Sequence, residues 1–264
     1  MSRRITFLGD THGQISDLPP ILAKMKARPE IYGNQIFQVG DWQYVWPGDV
    51  RTKKLQQLLQ DADVTMYFIR GNHDWRSALE QLDSSNSAFH YVEGRAFDQA
   101  RGALIPNLYA IGGAHSIDRD DRDLFDPVHL NRGKVYFEDE VIDPVVVQHG
   151  ITYGASHRDY LLVTHDSREV PPRRLQWGEF EELPESAAQR ALLRSLPAPA
   201  WHIHGHWHER YTWQHGRTKT IGLKHTHDYI EEAMVTMVQD TQGQWDVEPE
   251  TLSLADLRNL GMAK

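Results

Sequence analysis

The segment Ile5-Thr6-Phe7-Leu8-Gly9-Asp10-Thr11-His12-Gly13 decides the fold class of this 264-residue chain. Its first four residues form a short apolar run typical of a buried strand, and the run ends directly in Gly, Asp and His. Later apolar runs lead in the same way into Gly40-Asp41 and Gly71-Asn72-His73-Asp74. Asp41 follows Asp10 by 31 residues and Asn72 follows Asp41 by 31, about the length of one strand-helix-strand unit. The sequence therefore predicts an α/β fold.

Helix-like segments separate these runs, and further strand-like runs follow. Capping and periodicity predict helices over residues 17–27, 52–62, 75–82 and 184–196. Apolar runs rich in β-branched and aromatic residues predict later strands at 108–111, 145–147, 161–163, 201–204, 218–223 and 233–238. We expect one domain over residues 1–264, in which the segment 166–183 is an irregular insertion that forms a rim or lid.

Composition and charge narrow the functional classes. A hydrophobic fraction of 40% with 25% charged residues is that of an ordinary folded domain and excludes disorder. The formal net charge of −9 argues against strong nucleic-acid binding. The absence of cysteine excludes disulfides, thiolate metal ligands and a thiol nucleophile. No apolar run approaches the ~18 residues of a membrane span, and the N-terminus enters a strand-like run in place of a secretory signal, so we expect a cytoplasmic protein.

Side chains with metal-binding chemistry follow the strand-like runs. They are Asp10, His12, Asp41, Asn72, His165, His206 and His208. Ligands bind outside the carboxyl ends of the strands in an open α/β sheet, so we expect these side chains to converge. Nitrogen and oxygen ligands without sulfur suit divalent cations, and the Asp41 carboxylate is the natural bridge between two ions about 3.5–4 Å apart. His149, which follows the run 145–147, is an alternative to His165.

Five ordered blocks carry a family resemblance: Asp10-Thr11-His12, Gly40-Asp41, Gly71-Asn72-His73-Asp74, His165 and Gly205-His206-Trp207-His208. In these blocks the chain resembles the calcineurin-like metallophosphoesterase superfamily, including its small bacterial and phage members. The resemblance implies a four-layer αββα sandwich of two mixed sheets flanked by helices, with a dinuclear metal site at the strand C-terminal ends. One ion would take Asp10, His12, Asp41 and His208, and the other Asp41, Asn72, His165 and His206. His73 would contact the substrate phosphate and the leaving oxygen, and Asp74 would orient His73.

The resemblance also implies a phosphoesterase that acts through a metal-bridged hydroxide. We expect a small-molecule phosphate ester as substrate, with phosphodiesters such as cyclic nucleotides favoured and phosphomonoesters as the other class. The segment 42–46 departs from the protein Ser/Thr phosphatase branch, where an Arg-containing block follows Gly-Asp. We expect two divalent ions, manganese first, with iron, zinc or nickel as alternatives. Two other functions stay open: a nuclease resembling the double-strand-break repair nucleases, and a non-catalytic binding scaffold.

Other residues near the blocks have two interpretations each. His202 and His204 are expected to be packed or hydrogen-bonded, whereas His225 and His227 face either the site or the surface. The aromatic residues that follow the early blocks either belong to the core or stack on a nucleobase; they are Trp42, Tyr44, Trp46 and Trp75. The segment 112–118, with His115, Arg119 and Arg122, either contacts a substrate anion or forms a solvated turn.

Overall fold

The structure is a computed structural model that describes residues 2–43, 50–82, 88–93, 105–116, 139–172, 182–227 and 230–262. Tyr44, Trp46, Arg119, Arg122 and the centre of the segment 166–183 lie outside these ranges, so the interpretations that concern them stay predictions. Among the helices of the described ranges, none combines the length and apolarity needed to span a bilayer.

The strands form two mixed sheets. The strands of the first sheet are β1 (Arg3–Leu8), β2 (Gln35–Gln38), β3 (Thr65–Phe68), β4 (Phe89–Tyr91), β10 (Met234–Gln239) and β11 (Trp245–Val247). Their order is β11-β10-β1-β2-β3-β4, and β1 to β4 run parallel. The strands of the second sheet are β5 (Leu108–Ile111), β6 (Leu161–Thr164), β7 (Trp201–His204), β8 (Tyr211–His215) and β9 (Thr218–Gly222). Their order is β5-β6-β7-β9-β8, with only β8 antiparallel to its neighbour.

Helices connect many of these strands. They are α1 (Leu18–Ala27), α2 (Pro29–Tyr32), α3 (Val50–Ala62), α4 (Arg76–Leu82), α5 (Pro144–Ser156), α6 (Pro184–Arg194) and α7 (Leu254–Asn259). The predicted helices over 17–27, 52–62, 75–82 and 184–196 are confirmed as α1, α3, α4 and α6, with small differences at their ends.

Alternation along the strands separates the interior into layers. Ile5 and Phe7 of β1 lie in the core between the sheets, whereas Leu8 packs in the core beneath α1 to α4. A third apolar core joins the outer face of the second sheet to α5 and α6 through Leu162, Val147 and Leu193. The order of layers is therefore helices, sheet, sheet, helices, which confirms the predicted four-layer α/β sandwich.

The predicted strand at 145–147 is wrong, because these residues lie in the first turns of α5. The Asp143 side chain accepts a hydrogen bond from the backbone N–H of Val145, and Pro144 occupies the first helical turn. Val146, Val147 and Gly150 are buried at helical spacing. His149 is exposed on this helix, so it is no longer an alternative to His165.

Candidate metal centre

The loops that follow the parallel strands bring all seven predicted ligands together. Asp10 follows β1, Asp41 follows β2, and Asn72 follows β3. From the second sheet, His165 follows β6, and the loop after β7 carries His206 and His208. Because the carboxyl ends of parallel strands share one edge of each sheet, residues far apart in the chain meet at one place.

The first ligand group contains Asp10, His12 and His208. The Nε2 atom of His208 lies 2.9 Å from Asp10 Oδ2 and 3.0 Å from His12 Nε2. The His12 Nε2 atom lies 4.0 Å from Asp10 Oδ2. All three ligand atoms therefore point to a common centre.

The second ligand group contains Asn72, His165 and His206. The Oδ1 atom of Asn72 lies 3.0 Å from His165 Nε2 and 3.1 Å from His206 Nδ1. The Nδ1–H group of His165 donates to the Val39 carbonyl at 2.9 Å. This bond turns the Nε2 atom toward the centre, as a metal-binding histidine requires.

Asp41 lies between the two groups. Its Oδ2 atom is 4.0 Å from His12 Nε2 in the first group and 3.5 Å from His165 Nε2 in the second. Its Oδ1 atom accepts the backbone N–H of His73 at 2.8 Å. The position supports the proposal that the Asp41 carboxylate is shared by two ions.

The donor set fits divalent cations. Ligand atoms bound at about 2.0–2.2 Å from one ion lie roughly 3–3.5 Å from one another. The distances between ligand atoms within the two groups are close to this range, and the donors are imidazole nitrogen, carboxylate oxygen and amide oxygen, which suit first-row divalent metals. Buried carboxylates facing buried imidazoles also need compensating positive charge. The residues therefore fit two divalent ions.

The electrostatics of the metal-free site show how that charge is balanced. Burial alone raises the pKa of the Asp10 and Asp41 carboxyls, but His165 and other nearby imidazoles lower the pKa of Asp10, and lower that of Asp41 well below its usual range. Burial alone lowers the pKa of His165, but Asp41 and Asp10 raise it to about 10. Burial lowers the pKa of His206 to about 4. Without metal, a proton on His165 balances the buried carboxylates, while His206 stays neutral.

Backbone conformation helps to orient the predicted ligand side chains. His12, Asp41, His206 and His208 all have positive φ, between 43° and 65°. Residues with a Cβ atom are uncommon there, and each such conformation costs on the order of 1–3 kcal/mol. Such strain clusters at functional sites, where the surrounding structure holds it in place.

Two glycines of the motifs are needed for space. A Cβ atom on Gly71 would overlap the Asp41 carboxylate, and one on Gly205 would overlap the Asp10 carboxylate. Neither glycine has a positive φ, so conformational freedom does not explain them. The absence of a side chain lets each carboxylate lie against the neighbouring loop.

His73 lies beside the first ligand group. Its ring centroid is 5.5 Å from that of His12 in an edge-on arrangement, and its side chain is partly exposed. The position supports the predicted contact with a substrate phosphate at the metal centre.

Asp74 is buried behind the turn that carries His73. Its carboxylate accepts hydrogen bonds from the backbone N–H groups of Gly71, Trp42 and Gln43 at 2.7, 3.0 and 2.7 Å. Burial and the nearby Asp41 raise its pKa to about 6. These bonds tie the turn 71–74 to the loop after β2, and through that backbone they favour an indirect orientation of His73 by Asp74.

His225 and His227 face the site. The ring centroid of His225 lies 4.8 Å from that of His208, and the centroid of His227 lies 6.2 Å from that of His12. The Nδ1 atom of His227 is 2.9 Å from Asp17 Oδ2. Of the two interpretations of this pair, the structure supports the one that places them at the mouth of the centre.

The buried histidines of β7 have structural partners. His202 Nε2 lies 2.7 Å from Thr164 Oγ1, and His204 Nε2 lies 2.6 Å from the Tyr211 hydroxyl. Burial lowers the pKa of His202 well below its ordinary value and that of His204 to about 4. The expectation that they are packed and hydrogen-bonded is confirmed.

The tryptophans near the site differ in environment. Trp42 is fully buried, with its ring centroid 4.0 Å from that of Phe68, so the core interpretation is confirmed for it. Trp75 is 36% exposed and comes two residues after His73. Of these two, only Trp75 is exposed enough to stack on a substrate.

The start of the segment 166–183 is tightly packed. Asp166 and Ser167 are buried, and Asp166 Oδ1 accepts the Trp207 Nε1–H group at 2.9 Å. The Arg190 guanidinium lies 5.2 Å above the Trp207 ring and forms an ion pair with Glu182. Sequence reasoning missed this support for the His206 and His208 loop, because nothing in the local pattern links α6 to it.

The segment 112–116 is buried, which contradicts the interpretation of it as a solvated turn. Its Ser116 hydroxyl contacts both the Asn72 amide and the Glu140 carboxylate. The described part of the segment therefore lies behind the predicted ligand Asn72, whereas contact with a substrate anion through His115, Arg119 and Arg122 stays a prediction. Residues 117–118 lie outside the described ranges.

Comparison with known proteins places the chain in a family. A model of the calcineurin-like phosphoesterases matches residues 3–210, and the chain belongs to this family. The structure of TT1561 of Thermus thermophilus matches with a TM-score of 0.54 at 13% identity, covering 94% of this chain and 98% of that one. A structure described as a novel archaeal phosphodiesterase matches with a TM-score of 0.41 at 12% identity, covering 93% and 98%. A search of curated proteins found no match.

Proposed function

We propose that the protein is a dinuclear metal-dependent hydrolase of phosphoric esters that prefers phosphodiesters, including cyclic nucleotides, to monoesters. The observation that carries the proposal is the convergence of two ligand groups around Asp41, at 4.0 Å from His12 and 3.5 Å from His165. Membership of the family supports phosphoric-ester chemistry.

The residues beside the ligands support the diester preference. Three non-ligand imidazoles lie beside the centre, those of His73, His225 and His227. Unlike a guanidinium or an ammonium group, an imidazole carries no permanent charge. Such groups suit a diester with one negative charge better than a monoester with two.

The ligand groups define where the ions are held. Asp10, His12, Asp41 and His208 would hold one ion, and Asp41, Asn72, His165 and His206 the other. When bound, two divalent ions lower the pKa of a water and neutralise charge on the phosphoryl oxygens. We propose manganese as the first metal to test, since nitrogen and oxygen donors accept several divalent metals and availability decides among them.

His73 supplies the remaining chemistry. Beside His12, it is placed to hydrogen-bond a phosphoryl oxygen and to donate a proton to the departing alkoxide as the ester P–O bond breaks. Asp74 fixes the turn that presents His73. No side chain needs to form a covalent bond with phosphorus.

Hydrolysis of chromogenic esters tests the proposal. Metal-free protein would be loaded with manganese, its metal content measured, and bis(p-nitrophenyl) phosphate compared with p-nitrophenyl phosphate. We expect manganese-dependent hydrolysis with the diester favoured. Hydrolysis that persists in chelator-treated, metal-free protein would refute the proposal. A panel of 2′,3′-cyclic, 3′,5′-cyclic and linear nucleotides then identifies the substrate class.

Two substitutions separate the roles of neighbouring residues. Asn72→Ala should reduce the occupancy of one metal, whereas His73→Ala should keep both metals and lower kcat by about 10²–10⁴-fold. His149→Ala, on the exposed face of α5, is the matched histidine control and should behave as wild type. Metal binding without hydrolysis of any ester would favour the scaffold function. Selective cleavage of DNA with steep salt dependence would favour a nuclease.

A further inference from the structure

A buried carboxylate stands behind the Asn72 ligand and is not used in the proposed chemistry. Glu140 is fully buried, and Ser116 lies between it and Asn72. The Ser116 hydroxyl is 2.9 Å from Glu140 Oε2 and 2.8 Å from Asn72 Nδ2. The backbone N–H of Ser116 donates to Glu140 Oε1 at 3.3 Å. Three polar groups thus form a chain that ends at a ligand.

The direction of each hydrogen bond in this chain follows from the chemistry of its last member. A carboxylate only accepts hydrogen bonds, so the single proton of the Ser116 hydroxyl points to Glu140. The Ser116 oxygen can then only accept from its other neighbour, and the group of Asn72 that donates is the amide NH₂. The Oδ1 atom of Asn72 is therefore turned toward His165 and His206, at 3.0 and 3.1 Å.

We propose that Glu140 and Ser116 are positioning residues that select which end of the Asn72 amide faces the metal. The inference rests on the metal site of the proposed function. An asparagine flipped about its terminal torsion has nearly the same shape but presents an NH₂ group, which cannot bind a cation. Because these three side chains are buried, water does not reach them, and no solvent molecule takes the place of a hydrogen bond that is lost.

Glu140→Gln should reverse the donor and acceptor roles along these hydrogen bonds with little change in the shape of the side chain. The Ser116 backbone N–H holds the amide oxygen of the new side chain, so its NH₂ group faces the Ser116 hydroxyl and donates to it. The hydroxyl proton then points to residue 72. Asn72 must flip or lose its partner, and metal binding weakens.

Asn72→Asp should favour the reversed hydrogen bond, in which the Ser116 hydroxyl donates to residue 72. A carboxylate at position 72 cannot donate to Ser116, and in the presence of Glu140 two acceptors face one hydroxyl proton. With Glu140→Gln, the hydroxyl donates to the carboxylate at 72, whose other oxygen is free for the ion. The double variant also restores the net charge of the wild-type cluster.

The test is a double-mutant cycle in which titration calorimetry measures manganese binding by the full chain. Glu140→Gln alone should weaken binding by about 10–100-fold, a typical effect of a partner that orients a ligand. In the N72D background the same change should strengthen binding. A merely structural role for Glu140 would weaken binding in both backgrounds.

Controls separate this inference from folding and from the proposed function. Ser116→Ala should weaken binding, whereas Ser186→Ala, at a buried serine of α6, should not. Melting curves of the metal-free variants show whether each one folds. Wild-type protein that binds no manganese overturns the proposed function and this inference with it. If wild-type protein binds manganese, two results overturn this inference alone. One is a Glu140→Gln effect of the same sign in both backgrounds, and the other is unchanged binding in Ser116→Ala.

Discussion

The Nε2 atoms of His12 and His208 lie 3.0 Å apart although 196 residues separate them in the chain. Two protonated imidazoles would repel at this distance, so at most one of these nitrogens carries a proton. Asp10 Oδ2 lies 2.9 Å from His208 Nε2. Lone pairs and a carboxylate therefore converge where only a cation or a proton can satisfy them.

Metal uptake should release protons. The His165 pKa of about 10 means that this histidine is protonated in metal-free protein at pH 7. Because a ligand must give up its proton, binding should weaken at lower pH and strengthen as the pH rises from 7 toward 10. Calorimetric titration with manganese in two buffers of different ionisation enthalpy measures the release. His202→Gln, at a buried histidine outside the ligand set, is the control, and heats that do not depend on the buffer would contradict the prediction.

Gly71→Ala should impair metal binding more than it impairs folding. Its methyl group would displace the Asp41 carboxylate, which contacts both ligand groups. We expect manganese affinity to fall by about 10-fold or more. Gly216→Ala is the contrast, because that glycine has open space but a φ of 58°. It should cost on the order of 1 kcal/mol of stability and leave affinity unchanged. Equal affinities for the two variants would show that Asp41 tolerates the displacement.

Acid should destabilise the protein partly through His202. Its pKa is depressed in the folded state below the ordinary value of 6.5, so below pH 6.5 the unfolded chain binds a proton that the folded chain does not. Stability from this group is thus complete above pH 6.5 and is lost as the pH falls. Between pH 6.5 and 5 the loss is up to about 2 kcal/mol. His202→Gln should reduce the slope of unfolding free energy against pH, measured on metal-free protein; an unchanged slope would contradict the assignment.

Truncation of the two tryptophans near the site should affect different properties, stability for Trp42 and substrate affinity for Trp75. Trp42→Ala removes a fully buried ring and should destabilise the fold by about 3–5 kcal/mol. Trp75→Ala should leave stability near wild type but raise KM for nucleotide esters, since stacking on a base contributes about 1–3 kcal/mol. Leu254→Ala, at an exposed residue of α7, controls for loss of surface area. An equal KM increase for esters without a ring would argue against stacking.

Much of the fold and of the ligand set could be predicted because both depend on local patterns. Short apolar runs that end in Gly-Asp or Gly-Asn-His mark strand ends, and parallel strand ends must meet. The strand prediction at 145–147 fails because three valines carry strand propensity but no period, whereas the deciding signals are the capping Asp143 and Pro144. At residues 145–147 the helix-start signals therefore outweigh the strand propensity of the valines.

The support behind the ligands could not be predicted, because it depends on long-range packing. Ser116 and Glu140 are 24 residues apart, and although Ser116 lies in the segment 112–118, nothing in the sequence pairs it with Glu140. The positive φ of His12, Asp41, His206 and His208 is not marked by glycine, and the enrichment of Asp and His at positive φ is too weak a signal to predict it. Such features become visible only when both sheets are assembled.

The family match ends at residue 210, yet β8 to β11 all lie beyond it. The strand β10 pairs with β1 from Arg3 to Leu8, and β9 pairs with β7 directly before the His206 and His208 loop. A fragment that stops at 210 would expose the backbone of two central strands as raw edges prone to self-association. We therefore expect that residues 3–210 do not fold on their own, although they carry all seven predicted ligands, and that excising them yields insoluble protein.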